Sequence, residues 1–173
     1  HVKSTPITNL DASPRVPNTV GEGGPGPLRH ISGFATALAS SSVDATYQLV
    51  RIPSNAKVKT VKFESEAQTA GKFDIGLYYA TDGTLGHATA LLAADAIDQD
   101  FFATVVDCAS AVARTDVTNE SGTYTLDKRN QEIWEAAGLA TNPGGFFDVV
   151  ATVKTTAVTT GTGKLGVDVE YVV

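Results

Sequence analysis

The stretch of sequence that decides the fold is Tyr47–Asp82, which reads YQLVRIPSNAKVKTVKFESEAQTAGKFDIGLYYATD. It contains three segments in which β-formers dominate or apolar and polar residues alternate, at residues 47–52, 57–66 and 73–79. Pro53-Ser54-Asn55 has the composition of a turn, and Thr69-Ala70-Gly71 interrupts the pattern again. Period-two patterning is typical of half-buried strands. Three such strands joined by short turns predict an antiparallel meander.

Further strands are predicted on both sides of this stretch. They are a weak one at Leu28–Thr36 that Gly33 interrupts, a brief one at Gly122–Asp127, and two regular ones at Phe146–Thr156 and Lys164–Val173. The short Thr- and Gly-rich loop at residues 159–163 predicts that the last two strands form a hairpin.

Two short helices are predicted in the loops. In Ala94–Val105, the apolar residues Ile97, Phe101 and Val105 recur every four positions, which would form one apolar stripe on a helix. Asn130–Ala137 carries a similar apolar face, and Gly138 stands where helices commonly end.

Seven or eight strands with two short helices predict an all-β fold. We expect an antiparallel β-sandwich, most readily a jelly roll, as one domain over residues 28–173. The total of 173 residues suits one such core.

Residues 1–27 are predicted to form an extended N-terminal arm. Five prolines and four glycines in this segment oppose a regular ladder. Apolar residues are nevertheless spaced along it: Val2, Ile7, Leu10, Val16 and Val20. At about 3.3 Å per residue the arm could reach roughly 90 Å. We expect the arm to lie on a surface of its own domain or of a neighbour, the alternative being a disordered terminus.

Composition excludes several classes of function. The net charge is −6 and the pI is about 4.9, without the clustered Lys and Arg that a phosphate backbone requires, so no nucleic-acid partner is expected. No apolar run approaches the roughly 20 residues of a membrane span. The single cysteine, Cys108, cannot form an intrachain disulfide and is predicted to be a small buried apolar residue.

The search for catalytic and cofactor motifs yields no candidate. The histidines His1, His30 and His87 lack metal-binding spacing, so neither a metal nor another cofactor is predicted. A glycine-rich run at residues 21–26 contains Pro25 and precedes no helix, which argues against phosphate binding. Glu64 and Glu66 are interpreted as the solvated face of a strand rather than a catalytic pair. The chain is therefore predicted not to be an enzyme.

The aromatic residues leave an alternative open. Trp134, the only tryptophan, is predicted to anchor a short helix to the sheet. An exposed aromatic platform at Trp134, Tyr78 or Tyr79 would instead favour sugar binding.

Several segments resemble a family of tailed-bacteriophage virion proteins, the capsid decoration or cement proteins. They include LVRIPSNAKV (Leu49–Val58), DIGLYYATDG (Asp74–Gly83), ESGTYTLDK (Glu120–Lys128) and FDVVATV (Phe147–Val153). The resemblance extends over almost the whole chain and carries no catalytic residues.

This resemblance implies a structural virion protein with a jelly-roll fold. Such a protein would bind the major capsid protein and neighbouring copies of itself, as a dimer or trimer, on the outer surface of the capsid after assembly in the bacterial host cytoplasm. The alternative is a carbohydrate-binding or adhesin module, or a head-fibre base, on the virion surface.

Overall fold

The structure is a computed structural model that describes residues 26–39, 41–80, 96–154 and 163–173. Eight strands make up most of this part of the chain. They are β1 (Leu28–Thr36), β2 (Thr46–Pro53), β3 (Lys57–Ser65), β4 (Lys72–Tyr79), β5 (Ala96–Asp107), β6 (Val112–Asp116), β7 (Phe146–Lys154) and β8 (Lys164–Val172). A 3₁₀-helix (Leu126–Asn130) and a one-turn α-helix, α1 (Ile133–Ala136), lie between β6 and β7.

The strands form two antiparallel sheets of four. The first sheet has the order β1-β8-β3-β6 and the second has the order β2-β7-β4-β5. Buried side chains of both sheets belong to one hydrophobic core, for example Phe63 and Val169 from the first and Phe73 and Val149 from the second. The predicted β-sandwich is confirmed at this level, and β1 begins at Leu28.

Strands that follow one another along the chain do not pair as the sequence predicted. The described part of the segment Tyr47–Asp82 contains β2, β3 and β4, but β3 lies in the first sheet while β2 and β4 lie in the second. The predicted meander is therefore wrong. The predicted hairpin of the last two strands is wrong as well, because β7 pairs with β2 and β4 whereas β8 pairs with β1 and β3. Alternation shows that a strand has one buried face but does not show which sheet it joins.

The predicted helix at Ala94–Val105 is wrong for the described residues, which belong to strand β5. Its pairing with β4 shifts register three times, so that four residues of β5 lie opposite Gly76. This irregularity turns Phe101 and Phe102 into the core side by side. Their ring centroids lie 5.0 Å apart and within 5.4 Å of the ring of Tyr124. Bulges break the period of two, and the resulting apolar spacing resembled that of a helix.

The segment predicted as a strand at Gly122–Asp127 forms turns and the start of the 3₁₀-helix instead. Its aromatic signal comes from Tyr124, which is fully buried and donates its hydroxyl to the Val58 carbonyl at 2.7 Å. The predicted helix at Asn130–Ala137 is present but shorter. Glu132 caps α1 through a reciprocal capping box, and Gly138 follows it with a φ of +78°.

Gly33, which interrupts the sequence pattern of β1, marks a close contact between the two sheets. A Cβ atom at this position would collide with the carbonyl oxygen of Leu49 on β2. The β2–β7 register shifts between Gln48 and Val50, which places Leu49 in a bulge. The glycine thus lets the edges of the two sheets approach each other.

A buried ion pair joins β2 to β7. Asp148 is fully buried and accepts hydrogen bonds from Arg51 Nε at 2.6 Å and Nη2 at 2.9 Å, while the Gln48 amide also donates to it. Arg51 is 36 % exposed and lies directly opposite Asp148 in the ladder. A buried carboxylate is costly without its cationic partner.

We predict that Arg51→Met destabilises the protein by roughly 3 kcal/mol, because it leaves the Asp148 charge buried and largely uncompensated. The double variant Arg51→Met with Asp148→Asn removes that charge and should regain a substantial part of the loss. Urea unfolding followed by Trp134 fluorescence measures both. Equal stability of the single and double variants would contradict this account.

The end of β6 is held to β3 through Thr118. Its hydroxyl accepts the Val61 N–H at 2.7 Å, and Asp116 accepts the Thr118 N–H at 2.9 Å. Partial burial raises the pKa of Asp116, but hydrogen bonds from the Thr118 hydroxyl and N–H outweigh that effect. The pKa of this carboxyl therefore lies below its ordinary value.

We predict that Asp116 contributes to acid sensitivity. A depressed pKa means that its stabilising effect is complete above the unfolded-state pKa of about 4 and is lost as the pH falls through the folded-state pKa. Asp116→Asn should therefore lower the urea midpoint at pH 6 and make its decline between pH 6 and pH 3 shallower. A decline as steep in Asp116→Asn as in the wild type would contradict this account.

Candidate functional site

The apolar arm residues predicted to make contacts, Val2, Ile7, Leu10, Val16 and Val20, lie outside the described residues. Their role stays a prediction.

Side chains with catalytic or metal-binding chemistry do not converge in the part of the chain that the structure describes. No group of three His, Cys, Asp or Glu residues there could hold a metal ion. His30 Nε2 lies 3.5 Å from Asp168 Oδ1 on an exposed strand, while His1 and His87 are outside the described residues. Cys108 is buried, as predicted, and burial raises the pKa of its thiol to about 11. The thiolate is thus scarcely populated at neutral pH.

The aromatic residues named for sugar binding do not form an open platform. Tyr78 is fully buried and its hydroxyl lies 2.6 Å from that of Thr152. Tyr79 is half-buried, with its ring centroid 6.0 Å from that of Phe147. Trp134 packs partly buried against the core and donates its indole N–H to Glu132 Oε2 at 2.6 Å. The predicted anchoring role of Trp134 agrees with this position.

The outer faces of the two sheets differ in exposure. On the second sheet, Asp74, Tyr78, Asp148 and Thr152 are all buried although they alternate with the core residues. The first sheet presents a solvent-exposed grid of charged and polar side chains instead. Glu64 and Glu66 belong to this exposed face, as the sequence indicated.

Most charged groups of the exposed face have partners within it. Asp168 accepts contacts from both His30 and Arg114. Glu170 accepts a hydrogen bond from the Thr60 hydroxyl at 2.9 Å. These pairs tie β1, β8, β3 and β6 together across the surface, where exposed pairs contribute little to stability.

One row of this face is different because its middle position has no side chain. Gly166 on β8 is the cross-strand partner of Phe34 on β1 and of Glu64 on β3. Phe34 is 67 % exposed and Glu64 is also exposed. The Glu64 side chain extends over the glycine, since its Oε1 lies 3.4 Å from the place that a Cβ atom of residue 166 would take. We call the resulting depression the Gly166 notch.

The Gly166 notch has a volume of about 390 Å³ and combines apolar and charged walls. Ala111 and Val112, at the start of β6, contribute apolar surface, and Glu66 and Lys164 contribute charges. The Lys164 ammonium lies 5.4 Å from the centroid of the Phe34 ring, within the range of a cation–π contact. Glu66 accepts the backbone N–H of Lys164 at 2.8 Å.

The notch combines an exposed aromatic ring with charged side chains. Glu64 makes no hydrogen bond or ion pair within the described part of the chain, in contrast to the other carboxylates of this face. An exposed ring beside an unpaired carboxylate can hold a ligand that has an apolar surface and a hydrogen-bond donor.

Sequence reasoning did not find this site. Phe34 lies in a strand with a weak sequence pattern, and Gly166 interrupts a regular pattern. The sequence therefore does not mark either residue as part of a surface site. The notch exists only because residues 34, 64 and 166 meet in one register row, which local patterning does not reveal.

We predict that Phe34 has no role in folding. Phe34→Ala should change the free energy of unfolding by less than about 1 kcal/mol, because the side chain is mostly exposed and lies outside the core. The matched change Phe102→Ala in the aromatic cluster should cost about 3–5 kcal/mol. Urea unfolding of both variants checks the difference, and a similar loss in both would show that Phe34 is structural.

None of the helices in the described residues is long and apolar enough to cross a membrane.

Comparison with known proteins identifies one structural likeness. No family model and no curated protein matches the sequence. Among solved structures, the chain is similar to a chain of the cyanophage Pam1 capsid asymmetric unit, with a TM-score of 0.53 and 15 % sequence identity. The match covers 94 % of this chain and 96 % of that chain. At this identity the likeness concerns the fold, which the two chains share over nearly their full lengths.

Proposed function

We propose that this chain is a structural protein of a bacteriophage virion that decorates and stabilises the capsid. The observation that carries the proposal is the likeness in fold, over nearly the full length of both chains, to a chain of a cyanophage capsid asymmetric unit. The sequence resemblance to capsid decoration proteins points in the same direction and arose from different features.

The strand order supports a jelly roll as the finer description of the fold. In a jelly roll, eight strands form two four-stranded sheets through Greek-key connections. Here the pairs β1–β8 and β2–β7 join strands from opposite ends of the chain, and β3 and β4 lie beside β8 and β7. This nested order is the one expected when a long hairpin of strands is rolled into two sheets.

The site of action that we propose is the outer surface of the capsid. The protein would bind the major capsid protein and neighbouring copies of itself through surface complementarity rather than chemistry. A net charge of −6 disfavours contact with packaged DNA and suits an external position. The apolar residues of the N-terminal segment would add contact area and effective concentration.

The experiment is co-sedimentation of the purified protein with expanded capsids of the phage that encodes it, prepared without the protein and titrated to saturation. We expect saturable binding at a fixed ratio to the major capsid protein. Absence of binding by the folded protein would overturn the proposal and favour the carbohydrate-binding alternative. A glycan screen with Trp134 fluorescence as the readout would then follow.

The N-terminal segment gives a second prediction with the same assay. A variant that lacks residues 1–27 should keep the wild-type urea midpoint within error, because the core begins at β1, but should lose binding to the capsids. A variant with serine at Val2, Ile7, Leu10, Val16 and Val20 keeps the length and should bind weakly as well. Full binding by either variant would show that the segment is not the contact.

A further inference from the structure

We propose that residues 98–105 of β5 form a pH-sensitive strap across the outer face of the second sheet. The buried carboxyl group of Asp74 holds this strap in place while it is protonated and loosens it on ionisation. The strap goes beyond the proposed function and does not depend on it. Its basis is the backbone path of β5, the strained backbone at Val105 and the carboxyl groups gathered around both.

The backbone of the strap crosses the outer face of the second sheet at Gly76. Four residues of β5 lie opposite this one residue of β4. A Cβ atom on Gly76 would collide with the carbonyl oxygens of Asp98 and Gln99. Gly76 alternates with the core residues of β4, so this Cβ atom would point away from the core. The strap therefore occupies the space on the outer face that a side chain at position 76 would take.

The second sheet holds the strap through two side chains. From β7, Lys154 Nζ donates a hydrogen bond to Gln99 Oε1 at 2.6 Å. From β4, Asp74 Oδ1 accepts the Val105 N–H at 2.8 Å. The second oxygen of Asp74 lies 3.8 Å from Lys154 Nζ. Asp74 is 3 % exposed, so its carboxyl group lies beneath the strap rather than beside it.

The strap is strained where Asp74 binds it. Val105 has a φ of +52°, a left-handed conformation that is a genuine outlier for a β-branched residue. Such strain costs free energy and persists only where surrounding contacts impose it. The hydrogen bond from the Val105 N–H to Asp74 is the contact that reaches this residue from the sheet. A weaker hold by Asp74 therefore favours release of the strap.

The charged groups around the strap are mainly acidic. Asp98 and Asp100 share a hydrogen bond between their carboxyl groups, and Glu120 accepts the Thr104 N–H at 2.6 Å. Carboxyl groups thus outnumber cations among the described residues that surround the strap. These residues are Asp74 and Tyr78 from β4, Asp98 and Asp100 from β5, Lys154 from β7, Glu120 from the segment after β6, Lys128 from the 3₁₀-helix and Asp44 from the loop before β2.

Ionisation is unfavourable for two of these carboxyl groups while the strap is in place. Burial raises the pKa of Asp74, and the opposing effects of the Val105 N–H and Lys154 are smaller. Within the acidic pair of the strap, burial and the shared hydrogen bond raise the pKa of Asp98. The same hydrogen bond lowers the pKa of Asp100, so the proton is held on Asp98.

The direction of the pH effect follows from linkage. Release of the strap gives Asp74 and Asp98 access to water, where an aspartate has a pKa of about 4. Because their pKa values are higher with the strap in place, the stabilising effect is complete below about pH 4 and is lost as the pH rises through the raised values. The strap should therefore open more often at neutral pH than at acidic pH.

Amide hydrogen exchange of the full chain tests the strap, followed residue by residue by NMR at pH 7 and pH 4. Asp74→Asn keeps an acceptor for the Val105 N–H but cannot ionise. Wild type and variant are compared at the same pH, so the intrinsic pH dependence of exchange cancels. Amides of residues 98–105 report on the strap, and those of β8 in the other sheet report on unfolding of the whole sandwich. Glu170→Gln, on the exposed face of the first sheet, is the matched control.

At pH 7 we expect the strap amides of Asp74→Asn to exchange roughly threefold more slowly than those of the wild type, and at pH 4 less than about twofold more slowly. Asp98→Asn should act in the same direction, and Glu170→Gln should leave the strap amides unchanged. Exchange that is as fast in Asp74→Asn as in the wild type at pH 7, or strap amides that exchange only together with β8, would overturn the proposal. If Asp74→Asn does not fold, Asp98→Asn decides by the same criteria.

Discussion

The structure depends on the burial of apolar surface between its two sheets, because neither sheet can bury its apolar face alone. Every connection between consecutive strands except that from β4 to β5 passes from one sheet to the other. Core residues of β3, such as Phe63, therefore pack against strands that are neighbours in sequence but members of the opposite sheet. Because β1 pairs with β8 and β2 pairs with β7, the two ends of the chain must meet before either sheet is complete. Such non-local pairing makes folding cooperative and slow.

This constraint explains which parts of the fold could be predicted from sequence. A strand buried on one face carries a period of two wherever it lies, so β2, β3, β4, β7 and β8 were found close to their true bounds. Sheet membership depends on long-range pairing, and the predicted meander and hairpin were wrong for that reason. Strand β5 was missed because its bulges bring Phe101 and Phe102 to the same side. Tyr124, whose ring packs against both phenylalanines and stabilises this arrangement, lies about twenty residues further along the chain.

The candidate site was hidden from sequence analysis by the same non-locality. Nothing near Phe34 distinguishes it from an ordinary strand residue, and its exposure is visible only when β1 is placed at the edge of the first sheet. The exposed character of Glu64, in contrast, followed directly from alternation. Local pattern thus predicts which face a residue occupies. The register of three strands decides which residues share a row on that face.

The two outer faces of the sandwich differ in a way that bears on assembly. Part of the outer face of the second sheet is buried, and there Asp74 accepts the Val105 N–H at 2.8 Å and the Tyr78 hydroxyl lies 2.6 Å from that of Thr152. The first sheet is open, but its short edge strand β6 carries Arg114 and Asp116, and charged edges oppose uncontrolled strand pairing. A surface that resists addition of a strand can still accept a side chain. On this sheet the surface is recessed at the row of Phe34, Gly166 and Glu64, because the middle position of the row has no side chain.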